Sequence, residues 1–225
     1  MAAPMNGFRY IHKAIRHELD ALETLAGNAA GNDQGVSTLA QRLDFLSKVV
    51  ELHAAGEDEV MYPALDSRVP QVTRAYALDH QFERNLFAEI GATLSQLSSG
   101  SAGTQGGELS HQLNRRLTAL NATLSLHIWK EEEQLLPLLD EHFSVEEQGA
   151  MADRIVGHIP PEMMQPLLPW TLNALTADER ADLMRTVMGA LPAEPFRALS
   201  AGTKAHFPPA DWAEIVRRVP ELAAV

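Results

Sequence analysis

Two stretches of the chain, HAAGEDEVMYPALD from residue 53 and HIWKEEEQLLPLLD from residue 127, align without a gap, and His, Glu, Glu, Pro, Leu and Asp recur at the same offsets. Each puts a histidine four residues ahead of a glutamate: His53 before Glu57, and His127 before Glu131. On a helix, residues four apart stand one turn above each other on one face, so each stretch offers an imidazole and a carboxylate together. That is metal-ligand chemistry, set into positions where an amphipathic helix would otherwise carry leucine.

The elements that must position these groups follow from hydrophobic periodicity. A first helical segment carries Phe8, Ile11, Ile15, Leu19 and Leu22 on one stripe, with His12 inside it and His17 pointing away. A second carries Leu39, Leu43, Leu46, Val50, Val60 and Ala64, with His53 and Glu57 filling the series. In the third, Thr73, Tyr76, Phe87, Ile90, Leu94 and Leu97 leave a gap occupied by His80 and Glu83. The fourth runs Leu113, Leu117, Leu120, Leu124, His127, Glu131 and Leu138. Loop-like connections are predicted at 27–37, 67–70 and 98–107, where glycine, serine and proline gather.

Four such segments with modest connectors predict an all-α, up-down-up-down four-helix bundle. In that topology the start of the first helix meets the end of the second, the start of the third and the end of the fourth. His12, His53, Glu57, His80, His127 and Glu131 are therefore expected at one end of the bundle interior. A single histidine on an apolar stripe is most often a core residue bonded to a carbonyl, but six coincident positions are different. Burying four imidazoles and two carboxylates without a counter-charge costs several kcal/mol for each ionised group, roughly, and a cation removes that cost.

Composition narrows the chemistry. The 225 residues contain no cysteine, so thiolate sites, disulfides and cysteine nucleophiles are excluded, and any metal is held by His, Asp or Glu. Imidazole with carboxylate suits Fe, Mn or Zn, whereas Ca or Mg would not recruit four histidines. Two carboxylates among six ligands are enough for two bridges, which points to a dinuclear site; a single zinc is satisfied by three or four of these groups. A formal charge of −12 argues against nucleic acid or an anionic membrane as partner and leaves small molecules, metals or proteins. With no signal-like apolar core at the start and no apolar run of bilayer length, the expected location is cytoplasmic.

Competing motifs fail on spacing. The Glu-x-x-His pattern of ferritin-like bundles is absent, since histidine here precedes glutamate by four. His17-Glu18 would begin a zincin motif, but Ala21 stands where its second histidine belongs.

FRYIHKAIRHELDAL, HAAGEDEVMYPALD and HIWKEEEQLLPLLDEHF resemble the hemerythrin-like, or HHE cation-binding, family, and within it the hemerythrin domains of plant iron-regulating ubiquitin ligases. The likeness covers residues 8 to about 143 and extends weakly into the tail. It implies iron ligands His12, His53, Glu57, His80, His127 and Glu131, with Glu57 and Glu131 bridging two iron ions alongside an oxo, hydroxo or water ligand. It further implies binding of O2, sensing of iron or oxygen, or reaction with peroxide or NO.

Two departures from the oxygen carriers bear on function. Tyr76 stands one turn before His80, where carriers resemble His-x-x-x-His, and Glu131 lies four after His127, where carriers place an aspartate five after. Reversible O2 transport is therefore disfavoured. Tyr76 becomes a candidate catalytic residue, with weak ligation, hydrogen bonding to a bound oxygen species and simple packing all open to it. Glu83 is a further ligand, an acceptor for an imidazole N–H, or a rim residue. The remaining acids of the EDE and EEE runs are expected to be solvated, and His17, His111, His142, His158 and His206 fall off the inner stripes or outside the bundle.

The expected organisation is a bundle over 1–143 and a helical C-terminal extension over 144–225 packed on it. SVEE at 144 and TADE at 176 read as capping boxes, Pro160, Pro161 and Pro169 as punctuation, and PPADWAEIVRRVPEL as one more short helix. These helices cover the bundle flank, form a homodimer contact, or restrict access to the metals. Two functional classes stand: a redox protein acting on O2, peroxide or NO, and an iron or oxygen sensor that acts on a protein partner through metal-dependent ordering.

Overall fold

The computed structural model describes residues 4–29, 33–98 and 106–224, and among them the regular structure is helical throughout. Contacts divide the chain into two units, Ile15–Ser144 and Met1–Ala14 with Val145–Val225.

In the first unit, α1 (Phe8–Ala29, from Ile15 onward), α2 (Asp33–Gly56), α4 (Arg74–Ser98) and α5 (Gly106–Lys130) are the long helices, and short α3 (Tyr62–Arg68) and α6 (Leu136–His142) continue α2 and α5. Ion pairs and hydrogen bonds fix the antiparallel order. Arg42 of α2 grips Glu18 of α1 through two bonds of 2.7 and 2.9 Å. Asn121 of α5 donates to Asp20 and Glu23 of α1, and Arg116 of α5 reaches Glu89 and Thr93 of α4. The up-down-up-down bundle thus forms, around Ile15, Leu19, Leu22, Leu39, Leu46, Leu117, Leu120 and Ile128, each at most 1% exposed. Burying each such side chain stabilises the fold by about 1.5–3 kcal/mol.

Two details differ from the expected pattern. Residues 27–29 and 33–37, read as loop, are helical; 30–32, and 99–105 of the third connection, lie outside the described residues. The periodicity also slips. Glu57–Met61 and Glu131–Leu135 are π-helical turns, in which the Tyr62 N–H bonds to the Glu57 carbonyl and the Leu136 N–H to that of Glu131, five residues back. Pro63 and Pro137 follow directly. A proline ring crowds the carbonyl four residues behind it, here Glu59 and Glu133, and the wider turn relieves that clash. The extra residue advances the inner stripe by one, so Leu65 and Leu139 are buried while Ala64 and Leu138 are only half-buried.

The second unit contains α7 (Val145–Gly157), α8 (Pro161–Asn173), α9 (Ala177–Ala190), α10 (Ala193–His206) and α11 (Pro209–Arg218). Its core is built from Leu168, Leu172, Met184, Phe196, Leu199, Trp212, Ile215 and Val219. TADE opens α9 as a capping box: the Glu179 N–H donates to Thr176 Oγ1, and the Thr176 N–H to Glu179 Oε2. Pro161 starts α8, but Pro169 lies inside it with Pro166 rather than marking a break.

Candidate metal centre

The site lies where α2 passes into its π turn, where α5 does the same, and on the first half of α4. Glu57, His80, His127 and Glu131 are each at most 2% exposed. Glu57 is the hub. Its Oε1 lies 3.1 Å from His53 Nε2, and its Oε2 lies 3.3 Å from His80 Nε2. The other half-motif repeats the pattern, with His127 Nε2 3.4 Å from Glu131 Oε1. Ligand atoms of His53, Glu57 and Glu131 all fall within 4.8 Å of one another, and so do those of Glu57, His80 and His127. Glu57 belongs to both groups. His12 sits on α1, fully buried and on the face that carries Ile15, Leu19 and Leu22 of the same unbroken helix.

Two of the inward imidazoles are held from behind. His80 Nδ1 lies 3.0 Å from Asp58 Oδ1, and His127 Nδ1 lies 3.4 Å from Asp79 Oδ2, which Lys130 also pairs. A carboxylate on the far nitrogen fixes ring orientation and raises the basicity of the inward one, as around ligating histidines. The π turns also matter here: each begins at its glutamate, so the distortion sets the angle at which the carboxylate leaves the helix.

Tyr62 breaks the symmetry of the two halves, because its counterpart in the second stretch is Leu136. Its hydroxyl donates to Glu131 Oε1 at 2.7 Å and lies 3.4 Å from His80 Nε2, and its ring stacks on His80 at 5.5 Å and 14°. Burial first, then Glu57 and Glu131, push its pKa far up, so it is a neutral donor.

Tyr76 is also buried, but its hydroxyl donates to Gln134 Oε1 at 2.8 Å, and its ring sits edge-on to His127 at 5.9 Å. Burial, then Glu131, push its pKa up to about 12. Glu83, 1% exposed, has its Oε1 3.8 Å from His127 Nδ1, beyond hydrogen-bond reach.

Without a cation the electrostatics are unfavourable. Burial, and then Glu131, raise the Glu57 pKa well above the usual carboxylate range, and burial raises Glu83 to about 7. His80 is lowered by burial and by neighbouring His127, while for His127 burial is outweighed by the hydrogen bond and charge of Glu131, with Glu83 and Asp79, giving about 9. Neither Glu57 oxygen, though buried, makes a hydrogen bond. An ion bound through bonds of about 2.1 Å draws its donors to within roughly 4.2 Å of each other. The observed spacing is close to that, and the donor set fits a metal.

Periodicity missed three of these participants. Asp58 and Glu132 were read as solvated, yet Asp58 holds His80 and Glu132 forms a two-bond pair with Arg16 at 2.9 and 3.1 Å. Tyr62 falls off the inner stripe unless the π turn is counted. The one signal for that turn was the proline recurring six residues after each glutamate. His17, His111, His158 and His206 are exposed, and His142 is half-buried.

A family model described as the hemerythrin HHE cation binding domain matches residues 4–139. Zinc finger protein BRUTUS of Arabidopsis thaliana is 34% identical over 193 residues, 85% of this chain and 15% of that protein. Two BRUTUS-like zinc finger proteins of the same plant are 30% and 31% identical, over 194 and 196 residues, with the same coverage. The matched region is therefore a small part of each of these relatives. No solved structure matches.

Proposed function

The chain belongs to the hemerythrin HHE cation-binding family, and from that premise we propose that His12, His53, Glu57, His80, His127 and Glu131 hold two iron ions in a centre that binds or reacts with O2, peroxide or NO. One observation carries the reading: Glu57, fully buried, directs its two oxygens at two different imidazoles and hydrogen-bonds to neither. That is the arrangement a bridging carboxylate needs.

The chain's own groups have separable tasks. His53, His80 and His127 would bind through Nε2, and Asp58 and Asp79 orient His80 and His127 from behind. Tyr62 holds one oxygen of Glu131. Burial excludes bulk water, which strengthens every charge interaction inside. Iron held there would supply electron transfer and Lewis acidity. Elemental analysis of protein from iron-supplemented cells, with absorption spectra before and after peroxide, tests the reading. Two irons per chain with an oxo-bridge charge-transfer band support it, and zinc alone or less than one metal per chain counts against it.

A second reading, a sensor, is favoured by the cost of the metal-free state. Glu57, buried with neither oxygen hydrogen-bonded, destabilises the bundle until a cation arrives, so occupancy is coupled to order. Metal-dependent protease resistance without peroxide consumption would select it.

A further inference from the structure

A cavity of about 250 Å³ lies between α2 and α4 and reaches the centre from one side. Its inner wall includes His80 and Glu83, and its flanks are the apolar Val50, Ala54 and Phe87. Toward solvent stand Ala88 and the pair Arg84 and Glu51, 4.0 Å apart. A water molecule claims about 30 Å³ of liquid, so the space exceeds what a diatomic gas needs and admits a compact molecule of several heavy atoms.

Glu83 says what kind. It is 1% exposed, its Oε1 makes no hydrogen bond, and the nearest imidazole nitrogen, His127 Nδ1, bonds instead to Asp79. A buried oxygen without a partner is unfavourable, and a guest that bonds to it recovers that cost. A ligand O–H donates to the carboxylate, which an ether oxygen cannot do. O2 and NO carry no hydrogen to donate.

We propose that this cavity binds a small organic molecule with an apolar body and a terminal O–H, anchored on Glu83 beside His80. Alcohols and organic hydroperoxides share that chemistry. Resting on the metal reading above, the hydroperoxide is the member of the class that belongs beside the centre.

The test is an amide NMR titration of the full chain loaded with zinc, which is diamagnetic and redox-silent. The probes are tert-butyl hydroperoxide, tert-butanol and the aprotic tert-butyl methyl ether. The expected result is shifts at the Val50, Ala54 and Phe87 amides with both O–H compounds, and binding about tenfold weaker for the ether. Glu83→Leu should erase that difference, and Ala88→Trp, at the exposed rim, should abolish the shifts. An ether that binds as tightly as the O–H compounds, or Ala88→Trp without effect, overturns the proposal. Hydroperoxide binding tenfold weaker than the alcohol overturns its assignment as the relevant member. Metal content of the same sample separates the two readings: pocket shifts in a chain that retains no metal sink the metal reading and keep the cavity, whereas full metal without shifts sinks the cavity.

Discussion

The Tyr62 hydroxyl donates to Glu131 Oε1 across 2.7 Å, joining the second helical segment to the fourth at the centre of the site. Tyr62→Phe keeps the ring that stacks on His80 and removes only this donor. Outer partners of metal ligands contribute about 10–100-fold to affinity. Chelator competition should therefore show metal affinity reduced about tenfold with the helical content unchanged; equal affinity would mean that the hydroxyl plays no part in positioning Glu131.

Asp58 acts on the same centre from the other side. Because its side chain is 34% exposed, Asp58→Ala is expected to fold normally while freeing the His80 ring. Metal affinity should drop roughly 10–100-fold, whereas Glu59→Ala, one residue on and exposed, should leave it unchanged.

Thermal unfolding of the metal-free protein should depend on pH with a definite sign. His127 is held near 9, above its ordinary 6.5, because the Glu131 hydrogen bond and surrounding carboxylates outweigh burial. The folded state thus keeps a proton that the unfolded state has released, and this stability is full below pH 6.5 and lost as pH rises through 9. Glu83, raised by burial from 4.5 to about 7, adds the same sign between those values. His80, lowered by burial, acts the opposite way only below 6.5. Between pH 6.5 and 9 the midpoint should fall by roughly 5–10 °C; a midpoint that rises instead contradicts the charge arrangement. Bound metal displaces these protons and should flatten the dependence.

Two ion pairs should separate by burial. Arg42 meets Glu18, whose side chain is 7% exposed, so Arg42→Ala removes two charged hydrogen bonds from a nearly buried carboxylate and should cost about 2–3 kcal/mol. Lys48 and Asp44 are 58% and 65% exposed, and Lys48→Ala should stay within about 0.5 kcal/mol. Urea titration of both variants measures the difference.

What could be read from the sequence follows from what periodicity records. Ile15, Leu19, Leu22, Leu39, Leu46, Leu117 and Leu120 repeat at helical spacing, and they form the bundle core. The polar interruptions at Glu57, His80, His127 and Glu131 are buried where that spacing puts them. Partners across helices leave no such trace. Asp58 and Asp79 look like ordinary surface acids until α2, α4 and α5 are packed, and Tyr62 reaches the centre only after a π turn that ideal helical counting omits. In the C-terminal part, the Thr176 capping box was legible because its bonds are local, but Pro169 inside α8 was misread because tertiary packing tolerates a proline that local rules treat as a stop.

The shared position of Glu57 is the centre of the account, and metal counting on Glu57→Ala beside the parent chain and exposed Glu59→Ala tests it most directly. The parent and Glu59→Ala should each hold two metals per chain, and Glu57→Ala close to none, because both ions lose a ligand at once. A full complement retained by Glu57→Ala would contradict it.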